Sequence, residues 1–109
     1  MTVNKLIDTA ALTPLAITDG EREINGVYVG DLLSWVMGRA SADNAWITIM
    51  SNVNVIAVAS LLDLSCVILA EGVTLEDDVL RVASEKGVNI LGSGLPIYET
   101  AKLLAGILK

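Results

Sequence analysis

Apolar and polar positions alternate along this chain in two rhythms, one of amphipathic helices and one of buried strands. Val3, Leu6, Ile7 and Ala10 keep the i, i+3, i+4, i+7 spacing of one buried helical face, with Thr2 placed to cap it. Pro14 ends the helical options. Leu15-Ala16-Ile17 and Val27-Tyr28-Val29 then read as two short strands flanking a polar turn at Asp19-Gly20-Glu21-Arg22. Gly30-Asp31 opens a short helix carrying Leu32, Leu33, Val36 and Met37, with Gly38 as its expected stop, and Arg39 to Asn44 reads as loop.

From Ala45 onward the rhythm is regular. Ala45 to Met50 is strand-like, Val55, Val58, Ala59 and Leu62 form a helical stripe, and Cys66 to Ala70 is an unbroken apolar strand. Thr74 followed by Asp77 matches the capping pattern of a helix whose first turn holds Glu76, Asp77 and Asp78 and whose later turns hold Arg81 and Lys86. Leu75, Val79 and Val82 give that helix a core face and Gly87 ends it. Val88 to Leu91 supplies the next strand, and Pro96 opens a final helix with Ile97, Ala101, Leu104 and Leu108. A strand buried on both faces has no reason to alternate, so Cys66 to Ala70 belongs at the centre of a parallel sheet. The expected architecture is α/β: a single three-layer domain over residues 1–109, with a mostly parallel central sheet, helices on both faces and a β-α-β-α-β-α C-terminal half.

Composition narrows the chemistry. The chain has 109 residues, 53% of them hydrophobic, which fits one core. Seven Lys and Arg against thirteen Asp and Glu leave a net charge of −6, which disfavours nucleic acid and anionic membrane surfaces as partners. With no histidine, His-based triads and dyads and His-rich zinc sites are excluded, and the lone Cys66 permits no internal disulfide. Cys66 reads as core packing. No metal or cofactor is implied: neither a G-x-x-x-x-G-K-[ST] phosphate loop nor a complete G-x-G-x-x-G fingerprint occurs. Polar residues interrupt the N-terminal segment before a secretory h-region forms, and no apolar run reaches the ~20 residues of a membrane span, so a cytoplasmic protein is expected.

The stretch Gly26-Val27-Tyr28-Val29-Gly30-Asp31-Leu32-Leu33-Ser34, with the β-α-β-α-β-α half ending in Ile97-Tyr98-Glu99-Thr100-Ala101, resembles the DRTGG domain family over nearly the whole chain. In that family the domain occurs alone or as a regulatory module beside CBS domains in some inorganic pyrophosphatases and in some phosphotransacetylases, and it is similar to the N-terminal domain of HPr kinase/phosphorylase. The resemblance implies a dimerising module, of a family whose own activity is not established; the missing histidine and nucleotide motifs add the expectation that no residue here is catalytic. The sequence departs from the family's pattern at the naming residues: Ser51-Asn52 stands where the family has Asp-Arg, and Ala70-Glu71-Gly72 where it has Thr-Gly-Gly.

In open parallel sheets ligands bind outside the carboxyl ends of the strands. That rule picks out the loops after Gly30, Met50, Ala70 and Gly92 and makes Tyr28, Asp31, Ser51, Asn52, Asn54, Glu71, Gly72, Ser93 and Gly94 the candidate ligand-binding residues. Each has an ordinary structural role as well: Asn52 or Asn54 as a helix cap, Gly92-Ser93-Gly94 as turn chemistry, Tyr28 as core. Trp35, Met37, Trp46 and Met50 are the candidate dimer contact. The reading is a regulatory or scaffolding module, homodimeric, binding a small anionic ligand or a partner protein. The alternatives are a small enzyme using Asp31, Ser34, Glu71 or Ser93 on a phosphorylated metabolite, or a subunit of a redox or carbohydrate-control complex.

Overall fold

The computed structural model describes residues 1–108. Thr2 caps the first helix as its position requires, its hydroxyl accepting the Lys5 N–H at 3.1 Å, and α1 runs Val3–Ala10 before Ala11 closes it in the left-handed region. There follow β1 (Thr13–Ala16), β2 (Gly26–Val29), α2 (Leu33–Arg39), β3 (Asn44–Thr48), α3 (Val53–Leu61), β4 (Cys66–Leu69), α4 (Asp77–Glu85), β5 (Ile90–Gly92) and α5 (Ile97–Ile107). The five strands form one sheet in the order β1-β5-β4-β3-β2, with β2 to β5 parallel and β1 antiparallel to β5. The architecture is therefore the expected three-layer α/β arrangement.

Strand pleating sorts the core into two layers. Trp46, Val67, Leu69 and Ile90 pack with Val36, Val55, Ile56, Ala59 and Ala83, which places α2, α3 and α4 on one face. Ala45, Ile47, Cys66, Ile68 and Leu91 pack with Val3, Leu6 and Leu104, which places α1 and α5 on the other. From β2 to β5 each strand lies beside its predecessor, so crossovers of one hand put the three connecting helices on a common face. Among the described residues no helix is long and apolar enough to cross a membrane.

Two local expectations are corrected. Gly38 does not stop α2; it has no left-handed φ, and the helix runs on to Arg39 before Ala40 turns extended. Thr74 does not cap α4: Leu75 is drawn into the core, and the helix starts two residues later with Glu76 at its N-cap. Asp77 and Asp78 in the first turn complement the helix dipole instead.

The segment 17–25 links the two edges of the sheet, from β1 to β2, by passing along the amino ends of the strands between them. Asn89, buried just before β5, accepts the N–H groups of Thr18 (2.8 Å) and Asp19 (3.0 Å) and donates to the carbonyls of Asp19 and Ser65, both at 2.9 Å. The Ser65 hydroxyl, just before β4, reaches the carbonyls of Glu23 and Asp43. Arg22 bonds the Asp43 carboxylate at 3.0 Å and that of Asp63 at 2.8 Å. Both acids sit in left-handed turns, with φ of 66° and 58°. Burial alone would lower the Arg22 pKa, but the bonds to the two carboxylates outweigh it and hold the guanidinium charged.

Candidate functional site

The parallel strands place all four candidate loops at one end of the sheet, in the order of the strands: the Ser93 loop after β5, the Glu71 loop after β4, the Met50–Asn54 segment after β3 and Gly30-Asp31 after β2. Neighbouring strands lie about 4.8 Å apart, so Asp31 and Glu71 hang from strands roughly 10 Å apart, and Asp31 and Ser93 from strands roughly 14 Å apart. The loops share an end without converging on one small ligand.

At the β2–β3 side the polar groups hold the loop itself. The Trp46 indole N–H donates to the Gly30 carbonyl at 2.9 Å, and the Thr48 hydroxyl donates to Asp31 Oδ1 at 2.9 Å. Asp31 Oδ1 also faces the Ile49 N–H at 3.3 Å, and the Met50 N–H donates to Thr48 Oγ1 at 3.2 Å. A Cβ at Gly30 would lie 3.0 Å from the Tyr28 ring, which packs against the α2–α4 face of the core, so a side chain there would press the ring aside. Asn52 caps α3, its side chain accepting the Asn54 N–H at 2.9 Å, while Ser51 and the Asn54 side chain stay exposed.

At the β4–β5 side the two loops bind each other. Glu71 N–H donates to the Leu95 carbonyl and Gly72 N–H to the Ser93 carbonyl, both at 2.8 Å, with Glu71 and Gly72 in left-handed turns. The Ser93 hydroxyl is buried, shares a 2.9 Å bond with Thr100 Oγ1 and accepts the Leu95 N–H. Gly72, Ser93 and Gly94, with Val73, Thr74, Gly92 and the β1 residues Thr13 and Leu15, line a cavity of about 190 Å³. That is below the ~300–1,000 Å³ of sites for drug-sized ligands, and room only for a smaller group.

The four expected interface residues separate. Trp46 is fully buried between β3 and the α2–α4 layer and offers no surface, a correction forced by the place of β3 inside a sheet that helices cover on both faces. Met50 is half-buried against the same core. Trp35 and Met37 are exposed on α2, at 53% and 47%, and the Arg39 guanidinium covers the Trp35 ring 3.8 Å from its centroid. Cys66 is fully buried, and desolvation pushes its thiol up to about 12, so it is no thiolate nucleophile at neutral pH. Among the described residues no group of three or more His, Cys, Asp or Glu is placed to hold a metal ion.

Sequence reasoning missed Thr48, Ser65, Asn89 and Thr100, the buried polar residues that organise both ends of the sheet. Thr48, Ser65 and Asn89 stand inside or beside a strand-like run, and that placement is the signal available for them: a polar residue there must find a partner; Thr100 lies within α5 and carries no such signal.

Fold and site together define a parallel α/β module whose strand-end loops are tied to one another. No protein-family model matches the chain, and no curated protein matches it in sequence. Among solved structures it is similar to the CBS and DRTGG domains of the regulatory region of Clostridium perfringens pyrophosphatase, determined in complex with the activator diadenosine tetraphosphate. The TM-score is 0.73 at 14% identity, over 94% of this chain and 45% of that one. The likeness shows a DRTGG-like fold; the chain spans less than half of the regulatory region it matches.

Proposed function

We propose that residues 1–109 form one DRTGG-like regulatory or scaffolding module that acts as a homodimer and binds a small anionic ligand or a partner protein. The observation that carries this reading is what the strand-end groups are used for. Asp31 is engaged by Thr48, Ser93 by Thr100 and Leu95, Asn52 by the α3 backbone, and the Glu71 and Gly72 amides by the neighbouring loop. A catalytic site needs groups free to meet substrate; these groups fix loop shape, which suits a module that transmits or presents a surface.

The similar structure supports the regulatory part of the reading, because the matched region belongs to a pyrophosphatase's regulatory region and not to its catalytic part. The edge strand β2, paired on one side only and uncharged from Ile24 to Gly30, supports self-association. The cavity of about 190 Å³ at Gly72, Ser93 and Gly94 supports a small group as its direct occupant. Thermal unfolding in the presence of inorganic phosphate, adenine nucleotides and diadenosine tetraphosphate, paired with light scattering on a sizing column, tests both halves. A dimer stabilised by one of these anions is expected. A monomer whose midpoint none of them moves overturns the reading.

A further inference from the structure

The two edges of the sheet are built differently. β1 carries Pro14 and a register irregularity between Pro14 and Ala16, two devices that keep an edge strand from accepting another strand. β2 has neither. It pairs on one side only, with β3, in unbroken register from Gly26 opposite Asn44 to Val29 opposite Ile47. No charged residue occurs from Ile24 to Gly30, in a chain whose net charge is −6.

The backbone direction follows from one bond. Gly30 N–H crosses to the Ile47 carbonyl at 3.2 Å, and backbone groups alternate sides along a strand. The N–H and C=O of Val27 and Val29 therefore turn to the open edge. Their side chains, 37% and 42% exposed, lie on the sheet face that α1 and α5 cover only in part. A groove of about 620 Å³ remains there between Gly26-Val27 and the α5 residues Leu104, Ala105 and Leu108.

We infer that β2 is the strand through which two copies of this chain associate, pairing antiparallel with the β2 of the second copy about a two-fold axis and joining two five-stranded sheets into one. The inference rests on the homodimer reading above and names its surface. Charge selects the occupant: two chains of −6 repel each other, so copies meet most readily where neither presents an acid. Antiparallel pairing of identical strands is also what a two-fold axis generates, with the same patch on both subunits. Such pairing satisfies the outward amides of Val27 and Val29 and brings both copies' valines together on one face, beside the two grooves.

The test combines three measurements on the full chain: oligomeric state by light scattering, amide hydrogen exchange of Val27 and Val29 at low and high micromolar protein, and the same assays on Val29→Lys and Trp35→Asp. Val29 is half-exposed, so the lysine variant keeps the fold, checked by circular dichroism. The expected result is a wild-type dimer, exchange at both valines that slows with concentration, a dimer dissociation constant raised about 100-fold in Val29→Lys by burial of an unpaired charge, and little change in Trp35→Asp. A monomeric wild type overturns the homodimer reading and this inference together. A dimer that survives Val29→Lys, dissolves in Trp35→Asp or leaves both valine amides exchanging at one rate at all concentrations overturns this inference alone.

Discussion

The buried side-chain amide of Asn89 accepts the backbone N–H of Thr18 at 2.8 Å, across 71 positions of sequence, and so fixes the connection that carries the chain from one edge of the sheet to the other. The same side chain serves Asp19 and Ser65. Replacing Asn89 with alanine leaves two N–H groups and two carbonyls to find water or remain unpaired. The expected cost is about 2–4 kcal/mol in urea unfolding, well above the typical ~1 kcal/mol of a single hydrogen bond. A loss below about 0.5 kcal/mol would show that the amide is dispensable to the crossing segment.

Arg22 brings one nitrogen, Nη2, to both the Asp43 and Asp63 carboxylates and to the Asp63 carbonyl, at the end of a side chain longer than that of lysine. Arg22→Lys is expected to lose about 1 kcal/mol of stability, with Arg22→Met losing somewhat more because two turn acids are then left side by side. Equal stability of Arg22→Lys and the wild type across salt concentrations would show that any cation near the two turn acids serves as well as Nη2.

Trp46 and Trp35 are expected to report separately. Acrylamide quenches the exposed Trp35 and leaves Trp46 shielded, so the fluorescence of Trp35→Phe should resist quenching until the protein unfolds. Trp46→Phe removes the bond to the Gly30 carbonyl as well as ring volume, and an equilibrium unfolding curve should show a loss of about 2–3 kcal/mol.

Cys66 makes stability depend on alkaline pH. Folding raises its thiol from an ordinary 9.0 to about 12, because burial penalises the thiolate. The folded state therefore retains a proton that the unfolded state loses: the contribution is fully present below pH 9 and is lost as pH climbs toward 12, at up to ~1.4 kcal/mol per pH unit. Wild-type stability should fall more steeply over that window than that of Cys66→Ala, and the native thiol should resist iodoacetamide at pH 8. Parallel curves for the two proteins would refute the assignment.

Much of the fold could be read from residue order because its causes are local or periodic. Thr2 at the head of the Val3–Leu6 face, the unbroken run from Cys66, and Pro96 before the last helix each carry their signal within a turn or two of chain. The crossing segment could not be read that way. Arg22 and Thr18 look like ordinary turn residues, and their meaning lies in Asp43, Asp63 and Asn89, whose spacing from them encodes nothing. Trp46 failed as a surface residue for a related reason: in an interior strand covered on both faces every pleat direction is buried, and that β3 is interior is decided by its neighbours β2 and β4, not by its own residues. At the candidate site the loops were found by topology, whereas the use of Asp31 and Ser93 to brace them depended on Thr48 and Thr100, which only three-dimensional neighbours reveal.

The pairing of Thr13 with Gly92 has a consequence for how the molecule is made. On a ribosome adding roughly 5–20 residues per second, the first strand emerges some 4–16 s before the one it must lie against. Over that interval β1 has no partner strand, because the one neighbour it has in the sheet is β5.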